Sequence, residues 1–126
     1  MKPIVVIGFL GTQLDAGQGA GRWSKWRPTV SLAQHEDMVV ARMELLYTLK
    51  HKTLAELVKA DIAAVSPETT VNLVPMELAD PWDFGEVYSR LYDWARAYPF
   101  DTEREQYWSH ITTGTHVAQI LSLIHI

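Results

Sequence analysis

Residues 4–9, Ile-Val-Val-Ile-Gly-Phe, form a continuous apolar run dominated by β-branched side chains. Such a run is the pattern of a strand buried on both faces, which is the environment of a parallel sheet covered by helices on each side. It begins three residues from the N-terminus, so a short signal peptide is the competing reading. The run is brief, is broken by Gly8 and has no small-x-small cleavage site close behind it, all of which suit the strand better. No segment approaches the ~20 apolar residues of a membrane span. With 126 residues and 48% hydrophobic content, one domain with an ample core is the natural expectation.

Later segments supply the helices and further strands that such a sheet requires. Residues 11–28 hold Gly11, Gly17, Gly19 and Gly21 and read as a long loop. Residues 30–41 are ambiguous and admit a short helix. Residues 42–48 fit a second strand, with a helix continuing from Glu36 as its competitor. Thr53-Leu54-Ala55-Glu56 matches a capping box and opens a helix whose apolar face is Leu54, Leu57, Val58, Ile62 and Val65. Ser66-Pro67 ends it. Residues 71–78 read as a third strand, in which Pro75 marks an edge or an irregularity. A third helix opens at Asp80-Pro81, as N-cap and N1, buries Phe84, Val87, Tyr88, Leu91 and Ala95, and stops by Pro99. Residues 106–111 form a fourth strand, and a fourth helix starts at Thr115. Alternating strands and helices predict an α/β fold, a parallel sheet with helices on both faces. Ligands of such sheets bind beyond the carboxyl ends of the strands, where strand order reverses.

Two loops leave carboxyl ends with suitable chemistry. After strand four come the hydroxyls of Thr112, Thr113 and Thr115, the flexible Gly114 and the imidazole of His116, all at a helix N-terminus. Unpaired N–H groups and the helix dipole favour an anion there, and a phosphate-bearing ligand is the natural guest. The structural alternative is an ordinary strand-to-helix connection with threonine caps. After strand one come Gly11, Thr12 and Gln13. Asp15 would repel a phosphate unless it is paired. If strands one and four are neighbours, the two loops face one another across a crevice. His110 reads as a packed, hydrogen-bonded core residue.

Net charge is −4, which argues against a general nucleic-acid coat or a polybasic membrane binder. The charge is unevenly placed, however: no acid falls between Asp15 and Glu36, and Arg22, Lys25 and Arg27 lie in that gap beside Trp23 and Trp26. Cations interleaved with aromatics suit stacking on single-stranded RNA. A glycine-rich lid whose tryptophans pack back on the domain fits equally. His35-Glu36-Asp37 reads as a capping or solvent-facing triplet, and residues 101–105 as a solvated loop. The absence of cysteine excludes disulfides and thiolate metal sites and is compatible with a cytosolic protein. No Gly-x4-Gly-Lys phosphate loop, His-Glu-x-x-His or Gly-x-Ser-x-Gly motif occurs, and no metal or cofactor is implied.

Five segments carry a family resemblance: Ile-Gly-Phe-Leu-Gly-Thr-Gln-Leu-Asp at 7–15, Lys-Trp-Arg-Pro-Thr-Val at 25–30, Gln-His-Glu-Asp at 34–37, Ala-Asp-Pro-Trp-Asp-Phe at 79–84 and His-Ile-Thr-Thr-Gly-Thr-His-Val-Ala-Gln-Ile at 110–120. Over residues 1–120 the chain resembles the N-terminal regulatory domains of the RtcR family. These are sigma-54-dependent activators of the bacterial RNA-repair operon for RNA ligase RtcB and RNA 3′-phosphate cyclase RtcA. Such domains are of the CARF type, Rossmann-like folds that sense nucleotides or RNA ends. The resemblance implies a cytoplasmic, non-enzymatic ligand sensor, dimeric or of higher order in the complete protein, that controls an adjoining AAA+ ATPase. Contact with DNA and sigma-54 polymerase would come only through further C-terminal domains. By position, Gly11, Thr12 and Gln13 would line one side of the pocket, and Thr112, Thr113, Gly114, Thr115 and His116 the other, with Arg22, Lys25 and Arg27 on an RNA fragment or oligonucleotide. His116 stands where many relatives carry lysine, which separates the chain from ring-cleaving members. A ring nuclease acting on cyclic oligoadenylate and a pure dimerisation domain are the rival classes.

The last six residues, Leu-Ser-Leu-Ile-His-Ile at 121–126, depart from the family's pattern. They coincide with one reading frame of a transposase mosaic-end adapter used in sequencing libraries. The expectation is therefore a partial sensor domain over 1–120, truncated C-terminally, followed by an adapter-derived tail.

Overall fold

Every residue of the run Ile4–Phe9 is buried, because it forms a strand, β1, with a neighbour on each side and helices over each face. The computed structural model describes residues 2–11, 15–16, 19–24, 27–34, 39–80 and 82–110. Within them β1 is followed by a 3-10 turn (Ala20–Ser24), α1 (Pro28–Ala33), β2 (Val40–Tyr47), a second 3-10 turn (Leu49–His51), α2 (Lys52–Val65), β3 (Thr70–Pro75), α3 (Phe84–Ala97) and β4 (Gln106–His110). The strands make one parallel sheet in the order β3–β2–β1–β4. Gly8 stands opposite Leu45 of β2 on one side and His110 of β4 on the other. The α/β fold with helices on both faces is the one the alternation of elements predicts. The fourth helix, the 35–37 triplet and the 121–126 tail lie outside the described residues.

Side-chain alternation along β1 builds two cores. Ile4 and Val6 join Met43, Leu45, Ala55, Val58 and Ile62 under α1 and α2. Val5, Ile7 and Phe9 join Leu46, Val87 and Leu91 under α3. Each fully buried aliphatic side chain contributes roughly 1.5–3 kcal/mol, so the two-sided burial of β1 anchors both layers.

Helix boundaries depart from the sequence reading at two places. α2 starts at Lys52 with His51 at the N-cap position, so Thr53, expected as the N-cap, lies inside the first turn, and no side chain caps the helix. The preceding 3-10 turn does that work, since the His51 and Lys52 amides already bond Thr48 and Leu49 carbonyls. For α3 the N-cap is Asp83, not Asp80. Asp83 accepts from the Glu86 amide at 3.1 Å, while the Glu86 carboxylate accepts from the amides of Ala79 and Asp80 at 2.9 and 2.8 Å. Asp80 instead receives the Trp82 amide at 2.9 Å, a local turn that delivers the chain to the helix. The same acid-first signature occurs twice, three residues apart, and the reciprocal partner Glu86 selects the second.

α3 buries less than its sequence suggests. Val87 and Leu91 are buried, but Phe84, Tyr88 and Tyr92 are exposed and Ala95 is half-buried. The three rings lie four residues apart, one step round the helix from the core stripe, and stack on each other at centroid spacings of 6.5 and 6.1 Å. β3 is shorter than expected and ends at Pro75. It is an edge strand among the described residues, which tolerates a residue without an amide proton. The 101–105 segment is not simply solvated: Glu105 takes a bidentate bond from Arg42 at 2.6 and 3.1 Å, Arg42 also donates to the Tyr98 hydroxyl, and Tyr107 donates to Glu105. This network ties the return from α3 to the start of β2.

Leu91→Ala should lower unfolding free energy by about 2–5 kcal/mol. Phe84→Ala should cost no more than about 1 kcal/mol. Urea denaturation of both variants checks the assignment, and equal losses would contradict it.

Candidate ligand-binding crevice

The chain leaves β1 toward β2 on one side and later returns to place β4 on the other side of β1. Strand order therefore reverses at the β1–β4 boundary, and the loops leaving these two strands start side by side. Gly8 makes the close approach possible. A Cβ there would lie 2.7 Å from His110 Cβ, closer than real side chains approach, and a tight 3.0 Å from the His110 carbonyl oxygen.

Three buried polar residues from separate segments meet at this end of the sheet. Asp15 Oδ2 accepts from the Gly11 amide at 2.8 Å and from the Thr29 hydroxyl at 2.6 Å, and its Oδ1 accepts from the Thr29 amide at 3.0 Å. Thr29 Oγ1 lies 3.2 Å from His110 Nε2. All three residues are buried. Burial pushes the His110 imidazole below its ordinary pKa, and the Asp15 carboxylate opposes that shift. His110 is thus the packed, hydrogen-bonded residue the sequence suggests. Asp15 does not face the crevice as a bare charge; it turns inward and closes the loop that begins at Gly11.

A second buried acid holds the glycine-rich loop. Asp61, on α2, receives Arg22 Nε and Nη2 at 2.8 and 3.0 Å and Arg27 Nη1 at 2.6 Å. Hydrogen bonding from Arg22, then from Arg27, holds the Asp61 carboxyl below the usual range despite its desolvation. The Arg27 side chain is only 2% exposed and that of Arg22 is 19% exposed. Trp23, 44% exposed, lies against both guanidinium groups, 5.3 and 4.9 Å from its ring centroid. Arg27, expected on a ligand, is therefore buried in an ion pair, and among the described residues of this segment Trp23 and one edge of Arg22 reach the surface.

Gly11 sits at the mouth of the β1 loop, with its amide on Asp15. Thr12, Gln13, Lys25, Thr112, Thr113, Gly114, Thr115 and His116 lie outside the described residues. Sequence reasoning missed Thr29 and Asp61. The signal for Asp61 was present: it falls three residues after Val58 and four after Leu57, on the apolar face of α2, where an acid needs a cation. The acid-free, arginine-bearing gap before Glu36 is its complement. Thr29 carried no comparable signal, since a threonine after a helix-opening proline is unremarkable in sequence.

A parallel sheet of this order, with a polar cluster at its switch point, defines a Rossmann-like α/β domain. Two solved structures share the fold. One is Can2 from Sulfobacillus thermosulfidooxidans in complex with cyclic tetra-adenylate, at a TM-score of 0.57 and 14% identity, covering 97% of this chain and 28% of that one. The other is Csm6 from Enterococcus italicus bound to cyclic hexa-2′-fluoro-hexa-dAMP, at a TM-score of 0.66 and 13% identity, covering 98% of this chain and 31% of that one. The chain belongs to the RtcR family, regulator of RNA terminal phosphate cyclase, whose sequence model matches residues 2–125. It is 57% identical over 121 residues to the transcriptional regulatory protein RtcR of Escherichia coli strain K12, covering 95% of this chain and 23% of that protein. The chain thus spans under a quarter of this curated relative's length. Among the described residues no helix is long and apolar enough to cross a membrane.

Gly8→Ala should destabilise the domain by about 1–3 kcal/mol through overpacking against the β4 backbone. Thermal or urea denaturation checks this, and wild-type stability would show that β4 is not held against Gly8.

Proposed function

We propose that the chain is the ligand-sensing regulatory domain of a sigma-54-dependent transcriptional activator of RNA repair. An RNA fragment with a damage-type end, or a small oligonucleotide, binds beyond the carboxyl ends of β1 and β4. The observation that carries this reading is the direct pairing of β1 with β4, which starts the loop at Gly11 and the hydroxyl-rich segment after His110 next to each other. In open parallel sheets that is where ligands sit. Membership of a family of transcriptional regulators and the cyclic oligonucleotides held by two proteins of like fold support it.

In this reading Gly11, Thr12 and Gln13 form one wall and Thr112, Thr113, Gly114, Thr115 and His116 the other. The hydroxyls and the helix-start amides take phosphate oxygens. Trp23 and the exposed edge of Arg22 stack on or neutralise the bound strand, Lys25 assists, and Arg27 positions the loop from within. The domain works in the cytoplasm, as a homodimer or larger assembly of the complete protein, and reports to an AAA+ ATPase. DNA and sigma-54 polymerase are reached through other parts of that protein. A signal requires that the ligand prefer one of two arrangements of the assembly, and no bond need be broken to produce it.

Thr113→Ala and His116→Ala should each weaken binding of a short RNA ending in a 2′,3′-cyclic phosphate by about 1–3 kcal/mol, the range of one or two hydrogen bonds to a charged group. Fluorescence anisotropy reads the affinities. Unchanged binding in both variants would remove the pocket assignment. Turnover of cyclic tetra-adenylate that follows a histidine titration near ~6.5 would replace the sensor with a nuclease.

A further inference from the structure

The three groups Asp15, Thr29 and His110 come from the loop after β1, the first turn of α1 and the last residue of β4. All three are buried at the carboxyl end of β1 and β4. The direction of the hydrogen bonds among them is decided by geometry. Thr29 Oγ1 carries one proton and has two acceptors within reach, Asp15 Oδ2 at 2.6 Å and His110 Nε2 at 3.2 Å. Two oxygens at 2.6 Å with no proton between them repel, and Asp15 already serves as acceptor to two backbone amides. The hydroxyl proton therefore goes to Asp15. The hydroxyl oxygen can then meet His110 only as an acceptor, so Nε2 must carry the imidazole proton. Burial disfavours the imidazolium, and the neutral ring that results has its acceptor at Nδ1.

We infer that Thr29 is the positioning residue of the crevice: a one-way relay, His110 Nε2–H to Thr29 O–H to the Asp15 carboxylate, fixes the imidazole tautomer and locks the β1 loop to the end of β4. The inference deepens the proposed sensing role and rests on it for its purpose, though not for its chemistry. Its consequence for the site is specific. Whatever meets His110 Nδ1 must donate a hydrogen bond, as a backbone amide, a hydroxyl or an amine does, and a phosphate oxygen is refused there. Anion binding therefore does not run through His110 Nδ1. The second consequence is coupling. Displacing either loop disturbs a bond in the other, because both converge on one hydroxyl.

The test uses the 126-residue chain labelled with 15N, without ligand. Imidazole nitrogen spectra at neutral pH report the tautomer of His110, and amide hydrogen exchange reports Gly11 and the residues after His110. In the wild type the ring should be neutral and protonated on Nε2. Thr29→Val keeps the shape and removes the relay. It should abolish the single-tautomer signature and speed exchange about tenfold or more at both loops, the equivalent of about 1.4 kcal/mol. Thr29→Ser restores the hydroxyl and should restore both readouts to within about threefold of wild type. A wild-type ring protonated on Nδ1, or doubly protonated, would overturn the relay even if the valine variant fails to fold. So would an unchanged tautomer in Thr29→Val, or faster exchange at one loop only. None of these readouts needs a ligand, so the relay can fail while the sensing role stands, and RNA binding can fail while the relay stands.

Discussion

The approach of β4 to a strand position that has no side chain is the constraint on which the rest depends. With any Cβ at residue 8, His110 and its carbonyl would have to move. The parallel pairing that runs from Ile4 with Gln106 to Gly8 with His110 would be lost at its carboxyl end. That end is where the chemistry lies. Because β4 comes down beside β1 and not beyond β3, the sheet reverses its winding there, and two loops far apart in sequence open into one place. The buried imidazole of His110 lies against the glycine and carries the link onward to Thr29 and Asp15.

Two buried acids organise what surrounds the crevice, and both act on the same long loop. Asp15 closes its beginning onto the Gly11 amide and onto the first turn of α1. Asp61 gathers Arg22 and Arg27 near its end. A loop rich in glycine is entropically expensive to order, and buried charges are tolerable only when paired and hydrogen-bonded. The two needs offset each other here. The carboxylates gain their donors from the loop, and the loop gains fixed points on α1, α2 and β4. Trp23 is thereby held outward over a pair of guanidinium groups, an aromatic surface on a cationic base.

The fold was largely legible in the chain because burial on two faces leaves an unmistakable mark. The run at 4–9 suits a buried strand far better than a signal peptide, and the alternation that follows placed the strands, α2 and α3 within a few residues, while 28–33 stayed ambiguous and the two 3-10 turns left no readable pattern. Helix starts were less legible. At 80–86 two acids each fit the cap, and only the reach of Glu86 to the Ala79 and Asp80 amides distinguishes them. For α3, spacing alone could not tell the rings that line the core from those one step round the helix. The site was half legible. The pairing of β1 with β4 followed from the topology argument as a condition, and the structure meets that condition. The roles of Asp15, Thr29 and Asp61 depend on contacts 14 to 81 residues apart in sequence, and although an acid on the apolar face of α2 signals the need for a cation, no local pattern names the partner.

The central claim is that the β1–β4 crevice takes the end of an RNA strand. The most direct measurement is a map of backbone amide shifts as a short RNA ending in a 2′,3′-cyclic phosphate is added to the 15N-labelled chain. The account predicts saturable changes at Gly8, Gly11, Asp15, Thr29 and His110 and in the residues after it, with the outer face of α3 unchanged. Shifts confined to the ring stack of Phe84, Tyr88 and Tyr92, or no saturable shift at the crevice with RNA in excess, would contradict it.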